Sequence, residues 1–408
     1  MSLSGLKTAL ASLQSSASSS ADTAITGARQ DLNDIEEQAY YHGLLCISDV
    51  ELMLSSDGDF LVRRTEQADG ERILIVSVKA HKAVQHYPIT ETKEGICWMN
   101  ADRKFPSVPM LIQCLQTAKL PVSKGDPSVL LRRAIPRQEW EFRRVHIFTG
   151  DFMGAGSLTE TFRGIALLDS SRYQRVAVKK LLGESCDRQL QFLEEIRMLR
   201  KINEFDHIVR IVGIAADASP LMILMEWMEG GSLLDALRDP IKMNLKQRVD
   251  HCVQASQGMR VLEKQKIVHR SLAARNCLLD RSRRILKVCD YGLGVLAKHH
   301  SETGFMDCTT KWMAPEYLKQ NVFSTKSDVW SFGVLLWEIF SLGQEPYPEW
   351  TCEETYKHVA NTNYQLTAPI EMSPEIKQLM TDCFEYIPDS RPTFLSVKKR
   401  LYKIQDKY

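Results

Sequence analysis

Residues 269–276 read His-Arg-Ser-Leu-Ala-Ala-Arg-Asn, a polar loop with a hydroxyl at Ser271 and no carboxylate from there to Asn276. A carboxylate can accept a hydroxyl proton near neutral pH, whereas a serine can only orient one. Far upstream, Gly154, Ala155 and Gly156 form a Gly-x-Gly step. Missing side chains there let backbone N–H groups approach a phosphate, although such a step alone is a weak signal. Lys179 and Glu195, each taken alone, are a solvated lysine and a surface glutamate. Arg63 carries more information. In residues 60–64, alternation puts Phe60 and Val62 on one face and Leu61 and Arg63 on the other, so the guanidinium enters an interior. Buried and unpaired it would be costly; a phosphate dianion offers it a bidentate partner, and a neighbouring carboxylate is the alternative.

These residues need elements to position them. Residues 1–38 are rich in Ser, Ala and Thr and have no aromatic residue, which predicts a flexible tail. A compact module spans 39–122, with strands at 59–64 and 72–79 and helices at 48–54 and 109–117. A charged linker holding Pro127 and Pro136 covers 123–145. Strand-like segments then lead into a long helical region, making a second module over 146–404.

Bulk composition sets outer bounds. The 408 residues, 44% hydrophobic and 25% charged, describe globular protein, and a net charge of +1 offers no whole-chain argument for nucleic acid. The longest apolar stretches, such as 220–225, are too short to span a bilayer. Ten cysteines are scattered without the close pairs of a zinc site, which predicts reduced thiols in the cytoplasm. No signal-peptide pattern opens the chain, and Ser2 is not the glycine that myristoylation requires.

The first module resembles an SH2 domain. Tyr40-Tyr41-His42-Gly43, then residues 58–64, then His86-Tyr87 match that domain's successive landmarks. The resemblance implies that Arg63 grips phosphotyrosine, with Thr65 and the following loop as further donors and His86 shaping the pocket. Ile47 stands where a helix arginine is often found near the phosphate.

The second module resembles a two-lobed protein kinase, with a small lobe at 146–228 and a large lobe at 229–404. Val176-Ala177-Val178-Lys179 is similar to the strand bearing the phosphate-contacting lysine, and Glu195 to its helix partner. Met225 occupies the gatekeeper position, before Glu226 and Met228 in the hinge. The nucleotide-binding set thereby implied is Gly154, Ala155, Gly156, Ala177, Lys179, Met225, Glu226, Met228 and Leu278. Asn276 and Asp290 stand where the family places its magnesium ligands, and their hard oxygens suit that ion. Ala273-Ala274-Arg275 marks a tyrosine-kinase loop, with Arg275 among its catalytic residues. Trp312 to Glu316 closes the activation segment, and Arg391 is expected to pair with Glu316.

The order of modules is similar to the Fes and Fer family of non-receptor tyrosine kinases. An α+β chain is implied, using ATP and magnesium, binding phosphotyrosine proteins and carrying a kinase fold for protein tyrosine substrates. Recruitment to membrane-associated phosphotyrosine complexes would follow without a membrane span. Ser271 replaces the proton-accepting aspartate, Thr159 the third loop glycine, Tyr291 the usual phenylalanine, and Thr309 a substrate-positioning proline. Between Asp290 and Glu316, Tyr291 is the sole tyrosine. Three functions stay open: a pseudokinase-like signalling protein, an active tyrosine kinase tolerating Ser271, and a phosphotyrosine adaptor with a purely structural kinase fold.

Overall fold

The computed structural model describes residues 35–408 except 67–71, 93–94, 98–103, 157–158, 170, 184–185, 292–307 and 363. Contacts divide the chain into two compact units, 1–194 with 212–225, and 195–211 with 226–408.

In the first unit, β1 (Tyr41–Leu44) precedes α1 (Ile47–Met53), β2 (Asp59–Glu66), β3 (Arg72–Ala80) and β4 (Ala83–Thr92). Next come β5 (Gly95–Cys97), β6 (Lys104–Phe105), α2 (Val108–Thr117), β7 (Pro121–Ser123), β8 (Asp126–Leu130) and β9 (Arg133–Ala134). The sheet runs β1-β2-β3-β4-β5-β6, with β9 also on β2. Its centre, β2-β3-β4, is antiparallel. Phe60 and Val62 join Tyr41, Val76, Val78, Leu111 and Ile112 in one core, while Leu61 packs with Leu45, Val50, Leu54 and Ile135 in another. The alternation is therefore real, and Arg63 shares the face of Leu61. Helix α2 forms because Val108, Leu111, Ile112 and Leu115 make one buried stripe, and Ser107 caps it by accepting from Met110 N.

The predicted tail ends too late. Residues 35–37 are helical and Ile35, 1% exposed, sits in the core with Phe60 and Leu111. An isolated isoleucine in a Ser/Ala-rich stretch shows no periodicity, so the sequence pattern hides it.

A second sheet in this unit contains β10 (Ile147–Ala155), β11 (Thr159–Leu167), β12 (Tyr173–Leu181), β13 (Ile211–Ala215) and β14 (Met222–Glu226), in the order β10-β11-β12-β14-β13. Val176 and Val178 are buried with Ile147, Ala166, Met222 and Leu224, which turns Ala177 and Lys179 to the opposite face of β12. The two sheets meet closely. Leu44 N donates to Ala216 O at 2.8 Å, and Gly43, at φ +64°, has Ala216 O 2.3 Å from where a Cβ would sit. Glycine is required there on both counts.

Helix α3 (Cys186–Arg200) runs from the first unit into the second. The second unit continues with β15 (Gly231–Ser232), α4 (Leu233–Arg238), α5 (Leu245–Lys264), β16 (Cys277–Leu279) and β17 (Leu286–Val288). It ends with α6 (Pro315–Gln320), α7 (Thr325–Phe340), α8 (Cys352–Thr362), α9 (Pro374–Cys383) and α10 (Phe394–Gln405). Helix α7 is buried along nearly its whole length, carries Asp328 and Glu338 among its apolar residues, and is capped by Ser324. Arg391, its side chain fully buried, makes the expected pair with Glu316, bidentate at 2.7 and 2.8 Å. Among the described residues no helix is long and apolar enough to cross a membrane.

Asp59 yields a stability test. Arg133 bonds it through Nε at 2.7 Å and Nη2 at 2.6 Å, and the amides of Ser55 and Ser56 add to this, holding its carboxyl down from 3.8 to about 2. A depressed carboxylate stabilises the fold above its unfolded pKa and loses that contribution as pH falls through the folded value. Because the Arg133 side chain is 60% exposed, solvent screens part of the effect. Asp59→Ala is expected to lower unfolding free energy by about 1–2 kcal/mol at pH 7, measured by denaturant titration, with the gap closing between about pH 4 and 2. Equal stability at pH 7 would contradict this.

Candidate functional site

The anion pocket is built on β2, β3 and β4. Register pairs Leu61 with Ser77 and Ser77 with His86, which aligns Arg63, Ser77 and His86 on one face. Arg63 is 4% exposed and its Nε donates to Ser77 Oγ at 3.2 Å; Ser77 Oγ lies 2.9 Å from His86 Nδ1. The hydroxyl oxygen accepts from arginine and keeps its own proton for a second bond; when that proton goes to Nδ1, His86 carries its proton on Nε2. Burial first, and then the Arg63 charge, hold the His86 pKa down against Glu51. The imidazole is thus neutral at physiological pH. Thr65 follows Arg63 on the same face, half-buried, and the loop expected to add donors falls at 67–71, outside the described residues. Ile47 is 52% exposed on the first turn of α1.

The nucleotide candidates divide between the two units. In the first unit, β10 and β11 pair Gly154 with Thr161 and Ala155 with Glu160, and Gly156 N donates to Thr159 O at 2.7 Å. Ser157 and Leu158 lie outside the described residues. Lys179 is 7% exposed, and Met225, also 7% exposed, lies on β14.

In the second unit, α7 supplies two carboxylates to the 269–276 loop. Asp328 accepts from His269 N at 2.8 Å and from Arg270 N at 2.9 Å. Glu338 accepts from Ala274 N at 2.9 Å and from Trp312 Nε1 at 3.0 Å. Burial pushes both acids up to about 7 against those donors. The Arg275 guanidinium lies over the Trp312 ring at 4.3 Å. Asn276 Nδ2 donates to Ser271 O at 2.7 Å, which turns its amide so that Oδ1 is the oxygen left for a cation. Asp290 follows β17 with φ +61°, a left-handed conformation, and Cys289 N donates to Asn276 O at 2.9 Å. Leu278 lies on β16, and Met228 is buried beyond the end of β14. Glu226 N donates to Arg210 O at 2.9 Å, while its side chain pairs with Lys287 at 2.7 Å. Glu195 is raised to about 7 by burial, with the Arg270 charge opposing. An amide oxygen and a carboxylate are hard donors, so the donor types fit the magnesium the resemblance implies. Gly292 and most of the activation segment, 292–307, lie outside the described residues.

Sequence reasoning assigned no role to Ser77, Asp328 or Glu338. Ser77 interrupts an apolar strand and Glu338 an apolar helix run; a lone polar residue in such a run was the available signal.

Comparison with known proteins fits these two constellations. The protein tyrosine and serine/threonine kinase family matches residues 147–401, and the SH2 domain family matches 40–115. Fer-related kinase 1 of Caenorhabditis elegans is 33% identical over 373 residues, covering 90% of this chain and 94% of that protein. The chain belongs to the Fer/Fes family of SH2-bearing tyrosine kinases. Human tyrosine-protein kinase Fer is also 33% identical, over 385 residues, 91% of this chain and 44% of the relative. The Fps transforming protein of avian sarcoma virus (strain PRCII) is 33% identical over 381 residues, 91% of this chain and 68% of its own. The chain thus spans less than half the length of the human Fer that it matches. The expected α+β order, SH2 domain then kinase domain, is borne out.

An SH2 domain implies binding of phosphotyrosine proteins, and the expected seat of the phosphate is the Arg63 pocket. Arg63→Ala is expected to weaken such a peptide by ~2–5 kcal/mol in calorimetry, the range for truncating one partner of a buried charge pair. Ser77→Ala, which removes the hydroxyl that bonds both the Arg63 guanidinium and His86, should cost about 1.5–3 kcal/mol, the worth of a hydrogen bond to a charged group. Unchanged binding by the arginine variant would place the phosphate elsewhere.

Proposed function

We propose that this chain couples phosphotyrosine recognition to an ATP-binding kinase fold whose phosphotransfer is feeble or absent. The observation that carries the reading is the surroundings of Ser271. Its Oγ lies 3.3 Å from the Asp290 carbonyl, to which it can donate, and 3.4 Å from His269 Nδ1. Burial holds that imidazole down to about 4, so it is a poor proton acceptor at pH 7. No carboxylate stands between Ser271 and Asn276, and Asp290 is assigned to the metal. A tyrosine hydroxyl delivered to this loop meets a group that can orient it and none that readily takes its proton.

The rest of the reading concerns residues that bind and orient. ATP would supply the γ-phosphoryl group and magnesium the neutralising charge. Asn276 and Asp290 would hold the ion through oxygen. Lys179, which is buried, would face the phosphates, with Glu195 as the partner that the family resemblance gives it. The backbone of Glu226 and Met228 would meet adenine, beside Met225. Gly154, Ala155 and Gly156 would cover the phosphates, while Ala177 and Leu278 enclose the base. Arg275 would position the substrate loop from its seat on Trp312. Phosphotyrosine-bearing proteins would recruit the chain within the cytoplasm, including to membrane-associated complexes. The active-kinase reading draws support from the bonded frame around Ser271, because positioning and electrostatics supply much of a kinase's rate.

Two measurements test the proposal. Magnesium and ATP should raise the melting temperature of the wild-type chain, and Lys179→Met or Asp290→Asn should diminish the rise. No shift at millimolar nucleotide would leave the adaptor reading. Ser271→Asp should raise tyrosine phosphorylation by ~10²–10⁴, the worth of a general base, or about 3–5 kcal/mol of barrier. Unchanged turnover in a variant that binds nucleotide normally would show that the missing carboxylate is not what limits the chain.

A further inference from the structure

We propose that the Tyr291 hydroxyl is a positioning group that holds Asp290 turned toward the catalytic loop, through a bond that phenylalanine at this position cannot make. The inference rests on the metal-site reading of Asp290 and deepens it.

Tyr291 is 2% exposed, and its hydroxyl donates to Val209 O at 2.8 Å. Val209 is itself fully buried, so water offers its carbonyl no alternative partner. The bond completes a short ladder. Val288 N donates to His207 O at 2.9 Å, and Val209 N donates to Val288 O at 2.9 Å. Beyond Val288, the hydroxyl carries the connection three residues further along the chain, past Asp290. On its other side Asp290 is tethered by Cys289 N to Asn276 O at 2.9 Å. A residue at φ +61° is therefore bracketed by one main-chain bond before it and one side-chain bond after it. The Tyr291 ring also meets the buried His269 ring edge-on, with centroids 6.4 Å apart. Burial pushes the hydroxyl pKa upward, so it remains a donor throughout the physiological range.

An outward turn of Asp290 and Tyr291 would strand the Val209 carbonyl in an apolar interior. The hydroxyl therefore biases the population toward the inward arrangement, in which the Asp290 carboxylate is presented beside Asn276.

The test is Tyr291→Phe in the full chain. Affinity for a non-hydrolysable ATP analogue is measured by calorimetry with magnesium and with EDTA. The proposal expects the magnesium-linked gain in affinity to fall by about 3- to 10-fold, the worth of one net hydrogen bond, with affinity in EDTA unchanged. An unchanged magnesium-linked gain, or an equal fall in both conditions, overturns it. If the wild-type chain shows no magnesium-linked gain, the metal-site reading of Asp290 fails, and hydrogen exchange then decides the latch alone. The amides of Val209, Val288 and Cys289 should exchange about 3- to 10-fold faster in Tyr291→Phe while that of Leu335 in α7 does not change. Equal exchange at those three amides would show that the hydroxyl holds nothing.

Discussion

Two carboxylates on one buried helix hold the catalytic loop in shape. The 269–276 segment cannot satisfy its own amides by regular pairing, since Arg270 adopts φ +71° and Ala273 to Asn276 turn in a tight 3-10 step. Asp328 and Glu338 take up His269 N, Arg270 N and Ala274 N, and Glu338 also fixes the indole of Trp312. Burying two acids is expensive, as their raised pKa values record, and amide donors make it tolerable. The burial of α7 along nearly its whole length makes these anchors rigid. Ser271 and Asn276 inherit their positions from that frame, and Arg275 stacks on the indole that Glu338 fixes.

This arrangement separates shape from chemistry. None of the bonds that hold the loop involves the side chain at position 271 except the two long contacts made by its hydroxyl, at 3.3 and 3.4 Å. Exchanging aspartate for serine there can remove a proton acceptor without dismantling the loop, the Arg391–Glu316 pair or the buried helix. The Arg63, Ser77 and His86 chain lies on a different sheet and depends on none of these. On this account, recognition of phosphotyrosine and seating of a nucleotide persist where proton transfer does not.

Much of this was legible in the sequence wherever side-chain period or motif spacing carried the information. Alternation in residues 60–64 placed Arg63 on the Leu61 face. Helix and strand ends fell within a residue or two of expectation. What stayed hidden depends on contacts distant in sequence. Ser77 becomes a link between Arg63 and His86 only when three strands are in register, and Glu338 becomes a loop anchor only when α7 lies beneath residue 274. Ile35 reads as part of a polar tail because nothing near it repeats. The exchange of phenylalanine for tyrosine at 291 looks conservative until Val209 O is found opposite the hydroxyl.

The account turns on whether the missing carboxylate decides the chemistry. The most direct measurement is phosphotyrosine production by purified wild-type chain with magnesium and ATP, quantified by mass spectrometry against Lys179→Met. Product at or barely above that control is the predicted result. Turnover in the ordinary kinase range of about 1–100 per second, abolished by Lys179→Met, would contradict it.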